Sequence, residues 1–329
     1  MCHIHRKKVD VGGSVRQHRH PILLTVFNHH ATFTMKRATT WHAPFAAMAM
    51  FASILGASAQ TAGLAGSGKL LLTGGVTNIE GTAGGGLTPW ALIGGYGTRD
   101  QIGGNAFATQ VRADDYTLNT GGALVGLYDR VELSFAQQTF DTREVGGLLG
   151  LGNHFKFKQK VVGAKMKLFG DAVLEQDSLL PQVALGAMRK ENDRGALLRA
   201  LGIRNDKGTD VYISATKLFL SQSLLLNGTV RLTKGNQTGI LGFGTAAKNK
   251  YEAMFEGSAA LLLRKDLAIG AEFRQKPDNL PFKEDHWFDV FVAWTPIKNF
   301  SVTLAFADLG NIVIKDQQKG TYLSVQVGF

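Results

Sequence analysis

Apolar and polar residues alternate with a period of two along most of the chain after residue 100, the spacing that puts neighbouring side chains on opposite faces of a strand. Between Leu224 and Lys234, Leu224, Leu226, Val230 and Leu232 share one face, and Asn227, Thr229, Arg231 and Thr233 share the other. Phe255, Ala259, Leu261 and Leu263 oppose Glu256, Ser258 and Arg264, while Leu267, Ile269, Ala271 and Phe273 oppose Glu272, Arg274 and Lys276. The division recurs where Phe288, Val290, Val292 and Trp294 oppose Asp289 and Thr295, and where Phe300, Val302, Leu304 and Phe306 oppose Ser301 and Thr303. Val131, Leu133 and Phe135 likewise face away from Glu132 and Ser134, and Val162, Ala164, Met166 and Leu168 away from Lys165 and Lys167.

This pattern predicts strands near 101–112, 116–128, 130–140, 155–169, 182–190, 209–219, 223–234, 253–264, 267–276, 286–296, 299–308 and 320–329. They number about twelve, within a range of ten to fourteen, and an even number is the rule for single-chain bacterial barrels. Short turns at Asp129, Lys265–Asp266 and Pro296–Lys298 alternate with longer connections near 141–154, 191–208, 235–252, 277–285 and 309–319. Short periplasmic turns and long external loops have this rhythm. Two connections break it, a short one at 113–115 and a long one at 170–181.

A soluble β-sandwich would also alternate, but with more turn residues and Pro. This chain has 40 Gly and only 7 Pro. The last strand puts Leu323, Val325, Val327 and the terminal Phe329 on one face. That ending resembles the signal read by the barrel-assembly machinery. The fold class expected is therefore all-β, an antiparallel transmembrane barrel of the bacterial outer membrane, with lipid and the assembly machinery as partners.

Upstream of the strands, Met35-Lys36-Arg37, the apolar run Ala43–Leu55 and Gly56-Ala57-Ser58-Ala59 follow the order of a secretory signal peptide, with Ala57 and Ala59 marking the cleavage site. The apolar run is too short for a spanning helix, which needs about 20 residues. The expected organisation is an upstream extension over 1–34 from a misassigned start, a signal peptide over 35–59, a Gly-rich segment over 60–100 that forms a plug or extra strands, and the barrel over 101–329. The formal charge of +10 would point to nucleic acid were it spread along the chain. Residues 1–59 hold seven Lys or Arg and one acid, leaving 29 bases and 25 acids beyond them. No nucleic-acid partner is expected.

Candidate chemistry is sparse. Six of the nine His lie in residues 1–34, in the pairs His3 and His5, His18 and His20, and His29 and His30. They lack a ligand framework at a recognised spacing, and the single Cys, Cys2, lies among them, so no metal and no cofactor are expected. Gly66-Ser67-Gly68-Lys69 is only a fragment of a phosphate-binding loop. A lipid hydrolase would need an activated Ser. His154 and His286 are the histidines available in the barrel, with Ser258 as a partner for His286. No orienting third group is identifiable, so the expectation is not an enzyme.

The inward rows offer Glu132, Lys165, Lys167, Arg231, Glu256, Arg264, Glu272, Arg274, Lys276 and Asp289. In a water-filled pore they would select small polar or anionic solutes. Paired across the lumen, they would instead fill and stiffen it. Trp90, Trp287, Trp294, Tyr96, Tyr128 and Tyr322 are candidates for interfacial girdles or for ordinary packing. Lys283-Glu284-Asp285 reads as solvated loop charge.

The segments GKLLLTGG at 68–75, GGGLTPW at 84–90, GGYGTRDQI at 94–102, KLFLSQSLLLNG at 217–228, PDNL at 277–280 and DLGNI at 308–312, with Tyr322–Phe329, resemble a proteobacterial family catalogued as domain of unknown function 3034. The resemblance covers Gly68 to Phe329 and implies an outer-membrane barrel. It supplies no activity or binding residues to carry over. Three roles stay open: passive channel, closed structural or adhesive barrel acting through external loops, and lipid-modifying enzyme.

Overall fold

The structure, a computed structural model, describes residues 68–329. The signal peptide, its Ala57 and Ala59, the upstream extension with its histidines, and residues 60–67 lie outside the described residues. No helix among the described residues is long and apolar enough to cross a membrane.

Twelve antiparallel strands close into a barrel. They are β1 (Ile102–Ala113), β2 (Thr117–Leu127), β3 (Val131–Asp141), β4 (Lys156–Phe169), β5 (Gln182–Asn192), β6 (Lys207–Phe219), β7 (Leu224–Thr233), β8 (Glu252–Arg264), β9 (Leu267–Arg274), β10 (Trp287–Ile297), β11 (Phe300–Asp308) and β12 (Lys319–Gly328). Each pairs with its sequence neighbours, and β12 closes on β1 from Gly320↔Ala113 to Gly328↔Asn105. Closure matters because an open edge would leave peptide groups unpaired in hydrocarbon, at several kcal/mol each. The chain end reinforces it: the Phe329 carbonyl accepts from the Tyr96 and Gly104 amides at 2.9 and 3.0 Å.

The period-two pattern becomes two surfaces. Leu133, Phe135, Val162, Leu226, Phe255, Leu261, Val290, Leu304, Phe306 and Leu323 stand exposed on the outside, each 42–58 % accessible. A band of that extent exceeds what a water-soluble surface tolerates. It is the nonpolar exterior of a transmembrane barrel. Leu323, Val325, Val327 and Phe329 belong to this outer face.

Both irregular connections of the sequence pattern are real. The loop at 114–116 is a tight turn closed by the Ala113 amide on the Tyr116 carbonyl, and 170–181 is a long connection at the end of the barrel that carries the short turns. At the opposite end the loops are structured. Short helices occupy Val145–Leu148 and Gly195–Ala200, and Ile203–Asn205 pairs with Phe243–Thr245 to tie two loops together. Residues 236–242 turn inward and are buried.

An Arg placed at Leu304, halfway along β11 on the lipid face, should destabilise the barrel by about 2–4 kcal/mol. Arg at the exposed loop residue Leu148 should change stability by less than about 0.5 kcal/mol. Urea unfolding of both variants in lipid bilayers checks the difference.

Candidate functional site

The barrel is not empty. Residues 68–100 enter at the short-turn end, run up the inside, turn near Glu80 and return to the same end, so that almost every residue from Val76 to Gly95 is buried. The entry is fixed by the Lys69 ammonium, which pairs with Asp129 at 2.6 Å and donates to the Ile93 carbonyl, and by the Lys69 amide on the Tyr96 carbonyl. Inside, Val76–Thr77 and Ala83–Gly84 form a two-residue antiparallel pair. This segment is hereafter the plug.

A short ladder leaves most plug peptide groups without backbone partners, and buried peptide groups need partners. The wall supplies them from side chains. Gln326 accepts from the Thr77 amide at 2.8 Å, and Thr120 and Gln138 donate to the Ile79 carbonyl. Thr216 accepts from the Ala91 amide, while Gln182 donates to the Ala91 carbonyl.

Three carboxylates organise the rest. On β3, Glu132 lies directly across from Lys165 on β4, at 3.1 Å. Glu132 accepts from the Thr82 hydroxyl and from the Ala83 and Gly94 amides, while Lys165 donates to the Ala83 and Trp90 carbonyls, so this one pair grips both arms of the plug. On β9, Glu272 accepts from the Leu87 amide at 2.8 Å, the Thr88 hydroxyl and Ser258. Its carboxyl occupies the space where a Cβ on Gly85 would sit, which is why a glycine is required there.

The third carboxylate belongs to the plug itself. Glu80 reaches Lys190 at 2.5 Å, Arg274 at 3.0 Å and Arg231 at 3.1 Å. Burial alone would raise its pKa. The Arg231, Arg274 and Lys190 cations outweigh that and hold the carboxyl well below the usual carboxylate range. Behind these cations stand Asp210, 2.6 Å from Lys190, and Glu256, which accepts from Arg231 Nε at 2.5 Å and Nη2 at 3.2 Å. Three cations therefore face three carboxylates, all buried. The Arg231 guanidinium lies over the Tyr212 ring at 5.5 Å and Arg274 over Trp287 at 5.7 Å.

Above Glu80, towards the long loops, the filling becomes apolar. Ile79 and Leu87 from the plug meet Leu118, Phe140, Trp287 and Ile312, leaving a void of about 30 Å³. The inturned loop covers them, with Thr238 accepting from Lys190 and Gln237 linking Lys276 to Glu284 at 3.1 and 3.0 Å.

Of the ten inward candidates, Glu132, Lys165, Arg231, Glu256, Glu272, Arg274, Lys276 and Asp289 are buried in the lumen. Lys167 sits at the mouth, 2.9 Å from Asp129. Arg264 is not inward: past a break in the β8–β9 register it is exposed and pairs with Asp266 in the turn. Asp289 lies opposite Glu272 with neither oxygen hydrogen-bonded among the described residues.

Several other expectations are corrected. Trp90, Trp287 and Tyr322 point into the lumen rather than to a membrane interface, Trp90 donating its indole N–H to Ser258 at 2.9 Å. Tyr96 sits half-buried at the mouth, while Tyr128 and Trp294 are exposed. Ser258 faces inward, whereas His286 is exposed and packs edge-on against the outward Phe273, so the wall separates the two. His154 pairs with Asp141 in an exposed loop. Glu284, in the supposedly solvated loop, is buried. Among the described residues no cluster of three or more His, Cys, Asp or Glu could hold a metal.

Lys190, Asp210 and Glu80 are not among the sequence candidates. Lys190 stands in a polar run, Arg189 to Asn192, where a period of two gives no contrast. Asp210 does alternate with Val211 and Ile213. Glu80 carries a different signal: it is the sole acid between Asp10 and Asp100.

The profile of a family described as "Protein of unknown function (DUF3034)" matches residues 73–326. No curated protein matches the sequence. Among solved structures, a KdgM porin is 11 % identical, with 68 % of this chain and 99 % of that one covered at a TM-score of 0.45. Omp33 of Acinetobacter baumannii is 10 % identical, with 70 % and 100 % covered at 0.41. Outer membrane phospholipase A of Escherichia coli is 9 % identical, with 69 % and 92 % covered at 0.38. At such identities the likeness is one of barrel fold and carries neither solute nor chemistry.

A Gly85→Leu substitution should expel the plug while leaving the wall folded. Residues 68–100 should then become protease-sensitive in detergent, and the heat-dependent gel shift of the barrel should persist. Burial raises the Glu284 carboxyl to about 7, against the pull of Lys276 and Gln237. Because the folded loop binds this proton more tightly than the unfolded chain, the loop is most stable below about pH 4.3 and weakens as pH rises towards 7. Glu284→Gln should flatten this dependence, as read by protease access to residues 275–286 between pH 4.5 and 7.5.

Proposed function

The chain belongs to the family described as Protein of unknown function (DUF3034), and for this member of it we propose a gated passive channel of the outer membrane, closed at rest by its own plug and passing small polar solutes once the plug withdraws. The observation that carries this reading is the polar join between plug and wall. A lumen meant to stay shut is filled at least as well by apolar packing, since replacing buried ion pairs with hydrophobic residues is often neutral or stabilising by about 1–4 kcal/mol. A wall that meets water whenever it is vacated needs polar groups that can exchange a protein partner for a solvent one.

The path of the plug supports the same reading. Both its ends lie at the short-turn mouth, beside Asp129 and Tyr96. It can leave as a single loop without crossing the barrel or breaking any wall ladder. In this orientation the short-turn mouth is periplasmic, the long loops are external and the protein reaches the membrane by export. Passage through the barrel is not an enzymatic role. Neither His154 nor His286 stands in hydrogen-bond reach of an inward serine among the described residues.

A second reading, a permanently closed barrel acting through its external loops, draws support from the apolar layer of Ile79, Leu87, Phe140 and Trp287 that caps the plug. Planar-bilayer recording separates the two. Wild-type protein should be silent or open rarely, and the double variant Glu80→Ala/Glu132→Ala should show frequent, discrete openings. Correctly folded variants as silent as wild type would discard the channel and leave the closed barrel.

A further inference from the structure

We infer that Lys190, Arg231 and Arg274 form a carboxylate-binding site of the barrel wall, occupied at rest by the Glu80 side chain and open to a small monocarboxylate solute when the plug leaves. The inference rests on the reading of residues 68–100 as a removable plug and names the solute class that reading leaves open.

The three cations belong to the wall and each has a wall carboxylate beside it, Arg274 also donating to the Leu87 carbonyl of the plug at 2.9 Å. Glu256 holds Arg231 by two nitrogens, Nε at 2.5 Å and Nη2 at 3.2 Å, which leaves Nη1 between Asp210, at 3.5 Å, and the Glu80 Oε2, at 3.1 Å. The Tyr212 ring supports the same guanidinium from below. Gly186, paired across from Tyr212, has no side chain to compete for that space. Asp210 holds the Lys190 ammonium at 2.6 Å, and Trp287 flanks Arg274. Positions fixed in this way are the condition for binding without reorganisation on ligand entry.

Charge fixes the class of ligand. Without Glu80 the wall presents three cations, Lys190, Arg231 and Arg274, against two carboxylates, Asp210 and Glu256. One negative charge is missing. A monoanion restores neutrality, a dianion such as the doubly ionised form of phosphate overshoots, and a cation is repelled. Geometry narrows the class further. The contacts divide between two oxygens of one planar group, with Lys190 and Arg274 donating hydrogen bonds to Oε1 and the Arg231 charge 3.1 Å from Oε2, an arrangement that suits a carboxylate.

Chemical rescue tests the site without relying on conduction. In full-length Glu80→Ala protein in detergent, plug cleavage by protease should be faster than in wild type. Sodium acetate should slow it again by about tenfold, as expected for a ligand that stabilises the closed form, while sodium chloride and sodium phosphate of equal ionic strength should not. Acetate should not slow plug cleavage in wild-type protein, where it can enter the site only by competing with Glu80, and Glu80→Ala/Arg231→Met should lose the rescue. Glu80→Gln, which keeps the side-chain volume, serves if Glu80→Ala does not assemble. Its plug should be loosened, and loosening without acetate sensitivity in either variant overturns the site. Equal rescue by chloride or phosphate overturns its selectivity for carboxylate. Rescue in a barrel that never conducts would refute the channel and leave the site standing; openings without rescue would do the reverse.

Discussion

A peptide group surrounded by hydrocarbon has no water to bond to, and this single constraint runs through every level of the molecule. It requires strands whose N–H and C=O groups are all paired to neighbours, hence a ring with β12 joined to β1. It turns the alternation of the chain into an apolar outside and a polar inside. The interior of the ring is then a second problem. A narrow cylinder lined with Glu132, Lys190, Arg231, Glu272 and Arg274 must either hold water or supply these groups with partners.

The plug supplies them, and the wall returns the favour. Side chains on β3, β4 and β9 satisfy backbone amides and carbonyls between residues 83 and 94 that the two-residue ladder leaves over. In exchange, Glu80 completes the charge balance of Lys190, Arg231 and Arg274. Neither surface is electrically complete alone. That mutual dependence explains how an irregular, glycine-rich stretch can be as well buried as a strand. Closure is also layered: polar pairs around Glu80 sit beneath apolar packing of Ile79, Leu87 and Phe140, which in turn lies beneath the inturned residues 236–242. Opening the lumen towards the long loops would have to disturb each layer, whereas both ends of the plug lie at the opposite mouth.

Burial shapes what the ionisable groups can do. Glu80 stays charged because three cations surround it. Glu284, buried with fewer compensating charges, holds its proton to higher pH. The difference between the two glutamates lies in their neighbours. It is why residue type alone is a poor guide to which carboxylates bind and which merely titrate.

All twelve strands, the even count, the two irregular connections and the outward row ending in Phe329 follow from local alternation in the sequence, because a period of two needs no knowledge of distant residues. The same locality set the limit. Trp90, Trp287 and Tyr322 are left open by the sequence between membrane-interface girdles and ordinary packing, and face inward, since composition does not record which side of a wall a ring occupies. Ser258 is in the sequence only a candidate partner for His286, and the wall separates them. Glu80 was visible only as a lone acid in a glycine-rich stretch, and its partners lie 110 or more residues away on β5, β7 and β9. The sequence by itself determined the cylinder, through interactions between neighbours. Only the tertiary structure decided what fills it, because ring closure brings those distant charges into hydrogen-bond range.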